Sequence, residues 1–212
     1  RVLAGRRGCG PQRVARQPAL ERSIRDEFVE RLARFAQQLK VGNPEARDVF
    51  TGPLHTPQAA ARFRENVATA ERDGQVIFGG HFIDGGPGGD YAPPTLVEVP
   101  RGHALLREEQ FLPLLALRCF DGLQEALDEG NAVRYGLTAG IYTAASGALD
   151  LFLDRAEAGV LYANRASGAT TGAWPGIQSF CGWKGSGVSN KGGLGPHYLP
   201  QFMREQSRTI MR

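Results

Sequence analysis

The segment that decides the fold is LLALRCFDGLQEALDEGNAVRYGLTAGIY, residues 114–142. Its apolar start, Leu114–Phe120, predicts a buried strand, and Asp121 with Gln124 resembles a capping box at the start of a helix that Gly130 ends. Residues 137–142 predict another strand. A strand, a helix and a strand at this spacing indicate a right-handed crossover between parallel strands.

The same alternation continues downstream and begins upstream. Ser146 is placed to cap a helix that ends at Gly159, and Val160–Ala163 predicts a further strand. Apolar residues recurring every three or four positions predict a helix over residues 20–40. Those residues are Leu20, Ile24, Phe28, Leu32, Phe35 and Leu39.

A second upstream helix is predicted to begin at Thr56, with Pro57 in its first turn, and to end at Gly74. Strands are predicted after it, at residues 75–78 and 95–99. Together these elements predict an α/β fold with a mainly parallel twisted sheet and flanking helices.

Three parts of the chain differ in character. Residues 1–18 carry five arginines and predict an irregular basic arm. Residues 19–197 hold the alternating elements and predict one domain, and residues 198–212 predict an extended tail. The chain begins with Arg1 rather than Met, which favours either a trimmed chain or the back half of a longer one.

The composition excludes several classes of protein. The 212 residues are 42% apolar and 22% charged, with a net charge of +3, and the basic residues are too scattered to favour nucleic acid. No apolar run approaches the roughly 20 residues of a membrane span, and no signal-peptide pattern is present. Three cysteines do not form a disulfide framework, which predicts a cytoplasmic location. The four histidines have no metal-ligand spacing.

Two loops are candidates for chemistry, because ligands of open parallel sheets bind beyond the carboxyl ends of the strands. They are LREEQFLP, residues 106–113, and NRASGATTGAWPGIQSFCGWKGSG, residues 164–187. By themselves, the acids of the first loop are typical of a solvated turn, and the aromatic residues Phe111 and Phe180 are typical of a core. Cys119, in an apolar strand, is predicted to be an inert buried thiol.

These loops resemble segments of the aldehyde dehydrogenase superfamily. LREEQFLP is similar to its E-E-x-F-G-P segment, and SFCGWKGSG to its P-F-G-G-x-K-x-S-G segment. NRASGATTGAWPG and the later GPHYLPQFMREQSRT resemble the 1-pyrroline-5-carboxylate dehydrogenases, which oxidise glutamate γ-semialdehyde to glutamate with NAD. The resemblance runs from about residue 19 to residue 212, and it implies the catalytic domain of that fold.

The resemblance implies a role for each matched residue. Glu109 would hold the hydroxyls of the nicotinamide-side ribose of NAD, and Phe111 would pack beside the nicotinamide. The backbone N–H groups of Gly168 and Ala169 would bind the substrate carboxylate, and Phe180 would form a wall of the aldehyde pocket. The C-terminal tail would be an oligomerisation strand that pairs with a partner subunit, which implies a homo-oligomer.

Cys9, in the opening RVLAGRRGCG, stands at the position of the catalytic nucleophile of the family. The family surrounds its cysteine with G-Q-K-C-S-A, whereas here Gly10 follows it. Leu112 and Cys181 also replace glycines of the family motifs. We expect these two side chains to crowd the ligands, and to cost about 1 kcal/mol each wherever the backbone φ is positive.

The sequence contains no glycine-rich dinucleotide motif and no counterpart of the base glutamate of the family. We therefore expect a truncated relative of 1-pyrroline-5-carboxylate dehydrogenase that is catalytically incomplete alone and does not bind NAD by itself. Two alternatives stay open. The chain is a fragment or subunit of an active NAD-dependent aldehyde dehydrogenase, or it is a module that binds small carboxylates.

Overall fold

A computed structural model describes residues 3–7, 17–83, 88–165, 173, 176–187 and 192–212. The strands are β1 Leu3–Arg7, β2 Gln17–Glu21, β3 Gln75–Phe78, β4 Thr95–Glu98, β5 Leu114–Phe120, β6 Tyr135–Gly136, β7 Thr138–Tyr142, β8 Val160–Ala163 and β9 Trp183–Lys184. The helices are α1 Arg25–Ala36, α2 Pro57–Asp73, α3 Leu123–Asn131 and α4 Ser146–Arg155. Short 3-10 helices cover Arg22–Ile24, Ala104–Leu106 and Pro200–Phe202.

Seven strands form one sheet in the order β3-β4-β5-β2-β1-β7-β8. The pairs β4–β5, β2–β5 and β7–β8 are parallel, whereas β1 is antiparallel to both β2 and β7 and β3 is antiparallel to β4. It follows that β4, β5, β2, β7 and β8 all run in one direction, with β1 and β3 reversed. The predicted α/β fold with a mainly parallel sheet is confirmed.

The helices cover both faces of the sheet. The two faces can be told apart along β5, because successive side chains of a strand point to opposite sides. On β5, Ala116 packs in the cluster of α2, and Phe120 packs in the cluster of α3 and α4. Leu117 and Cys119 pack on the other face, against apolar residues of α1. The sheet is therefore sandwiched between α1 and the other three helices.

The local signals for α2 are confirmed. The Thr56 hydroxyl accepts a hydrogen bond from the Ala59 N–H at 3.1 Å, and Pro57 occupies the first turn. Gly74 is the C-cap of the helix. The two strands predicted after it are confirmed as β3 and β4.

Other predicted boundaries are wrong. The helix predicted over residues 20–40 begins only at Arg25, because Gln17–Glu21 pairs with β5 as a strand. Leu3–Arg7 pairs with two strands, so the arm predicted to be irregular contributes to the sheet. Local periodicity does not reveal strands whose hydrogen-bonding partners lie far away in the sequence. The domain boundaries at residues 18 and 197 stay predictions.

The predicted side-chain caps of α3 and α4 are also wrong. Gly122 is the N-cap of α3, and Asp121 instead forms an ion pair with Arg22 at 2.7 Å. The helix α3 continues through Gly130. Ser146 is the first residue of α4 rather than its cap.

A partly buried ion cluster joins β5 to α3. The Arg118 Nε donates to the Glu129 carboxylate at 2.9 Å, and its Nη2 donates to Glu125. The other Glu129 oxygen accepts from the Gly102 N–H at 2.9 Å. A cavity of about 70 Å³ lies beside the cluster, between the sheet and the helices α3 and α4.

The C-terminal tail is exposed throughout residues 200–212, and residues 203–212 form no helix or strand. The predicted oligomerisation strand therefore has no partner strand within the described part of the chain, and it stays a prediction. None of the described helices is long and apolar enough to cross a membrane.

Candidate active site at the amino edge of the sheet

The predicted cofactor residues lie at the edge where the parallel strands begin, which we call the amino edge. Residues 107–113, the Glu109 loop, lead directly into β5. Its last residue, Pro113, accepts a hydrogen bond from the N–H of Thr95, the first residue of β4, at 2.8 Å. The loop of Glu109 and Phe111 therefore precedes its strand and does not lie at the carboxyl edge, where ligands of open parallel sheets usually bind.

Leucines at both ends anchor the Glu109 loop in the core. Leu106 and Leu112 are buried in the same cluster as Phe63 and Val67 of α2. The expectation that Leu112 crowds the ligands is wrong, because its side chain packs inward. Its φ is not positive either, and the left-handed residue of this loop is Phe111, with φ 54°. That conformation costs a non-glycine residue about 1 kcal/mol.

Glu109 has the unusual environment in this loop. Its Oε1 is shielded from solvent and has no hydrogen-bond partner among the described residues. Burial raises the pKa of the carboxyl group. A shielded acceptor without a donor is unfavourable unless a ligand supplies one. Vicinal hydroxyls of a ribose are suitable donors, so Glu109 fits the cofactor that the resemblance implies.

Phe111 also fits that cofactor. Its side chain is 40% exposed in the same loop, although large apolar residues are usually buried. An exposed ring can pack against a flat heteroaromatic ring such as a nicotinamide. The prediction of a core role for Phe111 is wrong, whereas its role beside the cofactor stays a prediction.

Phe180 lies further along the amino edge. Its N–H donates to the Gly193 carbonyl at 2.8 Å, and the Cys181 thiol contacts the carbonyl of Gly159, the residue before β8. Four strand spacings separate β5 from β8, which corresponds to roughly 19 Å. Cys181, like Leu112, has no positive φ, so the expected backbone cost is absent at both positions. Gly168 and Ala169 lie outside the described residues.

The end of β1 lies between these two regions. Arg7 is paired with Thr138, the first residue of β7, so β1 ends at the amino edge between β2 and β7. Cys9 follows two residues later in the sequence and lies outside the described residues. The strand order therefore places the last described residue before Cys9 between the Glu109 loop and Phe180.

Thr138 is a residue at this edge that the sequence did not identify. It is 2% exposed, and its hydroxyl has no hydrogen-bond partner in the described part of the chain. The sequence could not have identified this hydroxyl, because a threonine in an apolar strand indicates only a preference for β-structure.

The opposite, carboxyl edge holds the start of the second candidate loop. The Asn164 amide exchanges two hydrogen bonds of 2.8 Å with the backbone of Thr143. The Tyr142 hydroxyl donates to the Arg165 carbonyl at 2.7 Å. These contacts fix the point at which residues 164–187 leave the sheet.

Comparison with known proteins identifies the family. The family model described as "Aldehyde dehydrogenase family" matches residues 4–207. The chain belongs to the aldehyde dehydrogenase family. Its mixed, mainly parallel sheet agrees with the solved structures of this family that it resembles.

The aldehyde dehydrogenases most similar to this chain differ in their substrates. Lactaldehyde dehydrogenase of Escherichia coli (strain K12) is 34% identical over 191 residues, which cover 88% of this chain and 38% of the relative. α-Aminoadipic semialdehyde dehydrogenase of Rattus norvegicus is 32% identical over 202 residues, covering 93% and 36%. The chain thus spans less than two fifths of the length of these curated relatives.

A solved aldehyde dehydrogenase with a cofactor has the same fold. The structure of 1-pyrroline-5-carboxylate dehydrogenase from Thermus with bound NAD matches with a TM-score of 0.74 and 30% identity. The match covers 87% of this chain and 34% of that one. The family match and the structural match therefore agree on the same fold.

The Cys119 thiol and the question of a metal-binding cluster concern residues outside the candidate site. Cys119 is buried, and burial together with Glu98 raises the pKa of its thiol to about 11, so the thiol stays protonated and unreactive at neutral pH. The described residues contain no cluster of side chains that could hold a metal ion.

Proposed function

We propose that this chain acts in the NAD-dependent oxidation of glutamate γ-semialdehyde to glutamate, as a relative of the 1-pyrroline-5-carboxylate dehydrogenases. The observation that carries the cofactor half of the proposal is the shielded Glu109 Oε1 without a partner among the described residues. The choice of substrate is supported by residues 164–176 and 195–209, whose sequences resemble segments of those enzymes.

Each candidate residue has a physical task in this reaction. The Cys9 thiolate attacks the aldehyde carbon, and the backbone N–H groups of Gly168 and Ala169 hold the substrate carboxylate without a buried counter-charge. Phe180 forms an apolar wall of the pocket. NAD, when bound, would accept the hydride, and water would then hydrolyse the acyl–cysteine bond, which releases the acid and restores the thiol. Glu109 accepts hydrogen bonds from the ribose hydroxyls, and Phe111 packs beside the nicotinamide.

The order of groups along the amino edge supports this assignment. The Glu109 loop precedes β5, and Arg7 ends β1. Phe180 is followed by Cys181, which contacts the Gly159 carbonyl just before β8. In the proposed reaction, the cofactor, the nucleophile and the aldehyde pocket follow each other in that order.

We propose that these 212 residues do not bind NAD measurably by themselves, because they carry no glycine-rich dinucleotide motif. Further polypeptide, in the same or another chain, would complete the cofactor site. Calorimetry with NAD tests this. Binding at micromolar strength would contradict it and would favour a complete cofactor site within these residues.

Product binding tests the substrate without turnover. We expect glutamate to bind about tenfold more tightly than α-aminoadipate, because one extra methylene in a closed pocket discriminates by about that factor. Calorimetry with both ligands measures the ratio. The variant Ala169→Asp should abolish glutamate binding by repulsion of its carboxylate. The matched control Ala61→Asp, on the exposed face of α2, should leave glutamate binding unchanged.

Lactaldehyde is the rival substrate, favoured by the 34% identity to the Escherichia coli enzyme. Its product, lactate, belongs in the same calorimetric panel. Tighter binding of lactate than of glutamate would replace the proposed substrate by lactaldehyde. Binding of every small carboxylate with equal affinity would favour a carboxylate-binding module.

We also propose that residues 198–212 pair with a second copy of the chain. Leu199, Phe202 and Met203 are each at least 70% exposed, which is unfavourable for a free tail. Sedimentation analysis should show an oligomer that is lost when the tail is removed, and a monomeric intact chain would contradict the proposal. The cytoplasmic location stays a prediction.

A further inference from the structure

We infer that Asn66 is a positioning residue: it holds Gln110, and through Gln110 it keeps the Glu109 carboxylate available to ligand hydroxyls. The ligand part of this inference rests on the function proposed for Glu109. The structural part rests on contacts between α2 and the Glu109 loop, and it is tested separately.

The Gln110 side chain links the loop to the helix. The Asn66 Nδ2 donates to the Gln110 Oε1 at 2.8 Å, in a partly buried position. The Gln110 Nε2 donates in turn to the Glu108 carbonyl at 3.1 Å. Both ends of the Gln110 amide are therefore engaged, and the residues on each side of Glu109 are tied together.

This link completes the attachment of the loop. Leu106 and Leu112 anchor the two ends in the core cluster of α2, but five residues lie between them. Phe111 holds an unfavourable left-handed backbone within that span. Such a conformation persists only when its surroundings over-determine it. The Asn66–Gln110 bond is the contact of α2 that reaches the middle of the loop.

The same bond holds the loop in the position in which Glu109 Oε1 has no partner among the described residues. It runs from the Asn66 amide of α2 to the residue next to Glu109. A loop free to move would bring the Glu109 carboxylate into water, where its acceptors would be satisfied. Holding the loop therefore preserves an acceptor for a ligand.

Two measurements on Asn66→Ala test the inference without any ligand. In hydrogen exchange, the amides of residues 107 and 108, which donate to the Ala104 carbonyl at the start of the loop, should exchange about fivefold to tenfold faster, the factor expected for the loss of one hydrogen bond. In carboxyl NMR titration, the pKa of Glu109 should fall toward its ordinary value as water reaches Oε1. The variant Glu109→Gln assigns the signal.

Gln58→Ala is the matched control, because it removes an exposed amide from the same helix. It should leave both measurements unchanged. Where Asn66→Ala does not fold, Gln110→Ala removes the same bond from the loop side. Unchanged exchange and an unchanged Glu109 pKa in Asn66→Ala or Gln110→Ala would overturn the inference.

An exchange of the two amides tests the direct contact. The double variant Asn66→Gln with Gln110→Asn keeps the combined length of the two side chains. The backbone amides of its loop should therefore undergo hydrogen exchange more slowly than those of Asn66→Gln or Gln110→Asn alone. A double variant as fast as the faster single one would count against a direct bond. None of these outcomes depends on NAD or glutamate binding, so failure of the proposed function is seen separately, in calorimetry.

Discussion

Glu129 and Glu109 are two glutamates partly withdrawn from water, with opposite surroundings. The Glu129 side chain is 18% exposed, and its oxygens accept from Arg118 and from the Gly102 N–H. The Glu109 Oε1 is shielded and has no donor among the described residues. One partly buried carboxylate thus has donors in the protein, and the Oε1 of the other has none among the described residues.

The difference separates a structural acid from a candidate ligand-binding acid. Burial of a charge is tolerated when partners compensate it, as Arg118 does between β5 and α3. The Glu109 acceptor has no donor among the described residues, which lowers stability, and the proposed ligand binding would account for it. The two sites therefore respond in opposite ways to the loss of their charged groups.

The largest effect is expected at the satisfied site. Arg118→Met should lower the free energy of unfolding by about 3 kcal/mol, because the partly buried carboxylates of Glu129 and Glu125 lose their shared cation. Urea denaturation measures this. Arg118→Lys, which keeps a cation, should lose less. A near-neutral Arg118→Met would show that Glu129 does not depend on the ion pair.

The next effect concerns the anchor of the Glu109 loop. Leu112→Gly restores the residue of the family motif, yet it should destabilise the fold by about 3 kcal/mol, because a buried leucine is lost from the core. Denaturation of the control Phe111→Gly should differ from wild type by no more than about 1 kcal/mol, since glycine relieves the positive φ there. Equal losses in both variants would contradict the anchoring role of Leu112.

The pH dependence of stability should distinguish Glu109 by its sign. Burial raises the pKa of Glu109 in the folded state, so the folded chain binds more protons than the unfolded chain between the two pKa values. The stability contribution of this group is therefore present at acid pH and is lost as the pH rises through the folded pKa. Denaturation at several pH values measures it.

Glu109→Gln should remove that loss, so its stability relative to wild type should increase from acid to neutral pH. The matched variant Glu129→Gln should be less stable than wild type at neutral pH, because it weakens the pair with Arg118. If Glu109→Gln is instead destabilised at neutral pH, the carboxylate has a partner in the protein and the comparison fails.

The smallest effect is expected where neither carboxylate nor cation is buried. Arg34 and Glu30 form an ion pair of 2.6 Å on α1, with side chains about 70% exposed. Arg34→Ala should change the free energy of unfolding by about 0.5 kcal/mol or less, since water screens such pairs. A loss as large as that of Arg118→Met would mean that burial is not what distinguishes the ion pairs.

Part of the candidate site could be predicted from the sequence. Motif resemblance selected Glu109, Phe111 and Phe180, and all three lie at the amino edge. The general rule for parallel sheets did not indicate that edge, because it concerns loops that follow their strands, whereas the Glu109 loop precedes β5. Neither signal indicated Asn66, whose partner Gln110 lies 44 residues away.

The sequence by itself determined the elements whose signals are local. Hydrophobic periodicity and turn residues are enough for β5, β8 and α2, since a strand or helix pattern and a capping threonine act within a few residues. Tertiary structure alone decided that Leu3–Arg7 and Gln17–Glu21 enter the sheet and that Leu112 packs inward. It also decided that the Glu109 Oε1 has no donor among the residues that the structure describes. Strand pairing and burial depend on residues distant in the chain, and no local pattern encodes them.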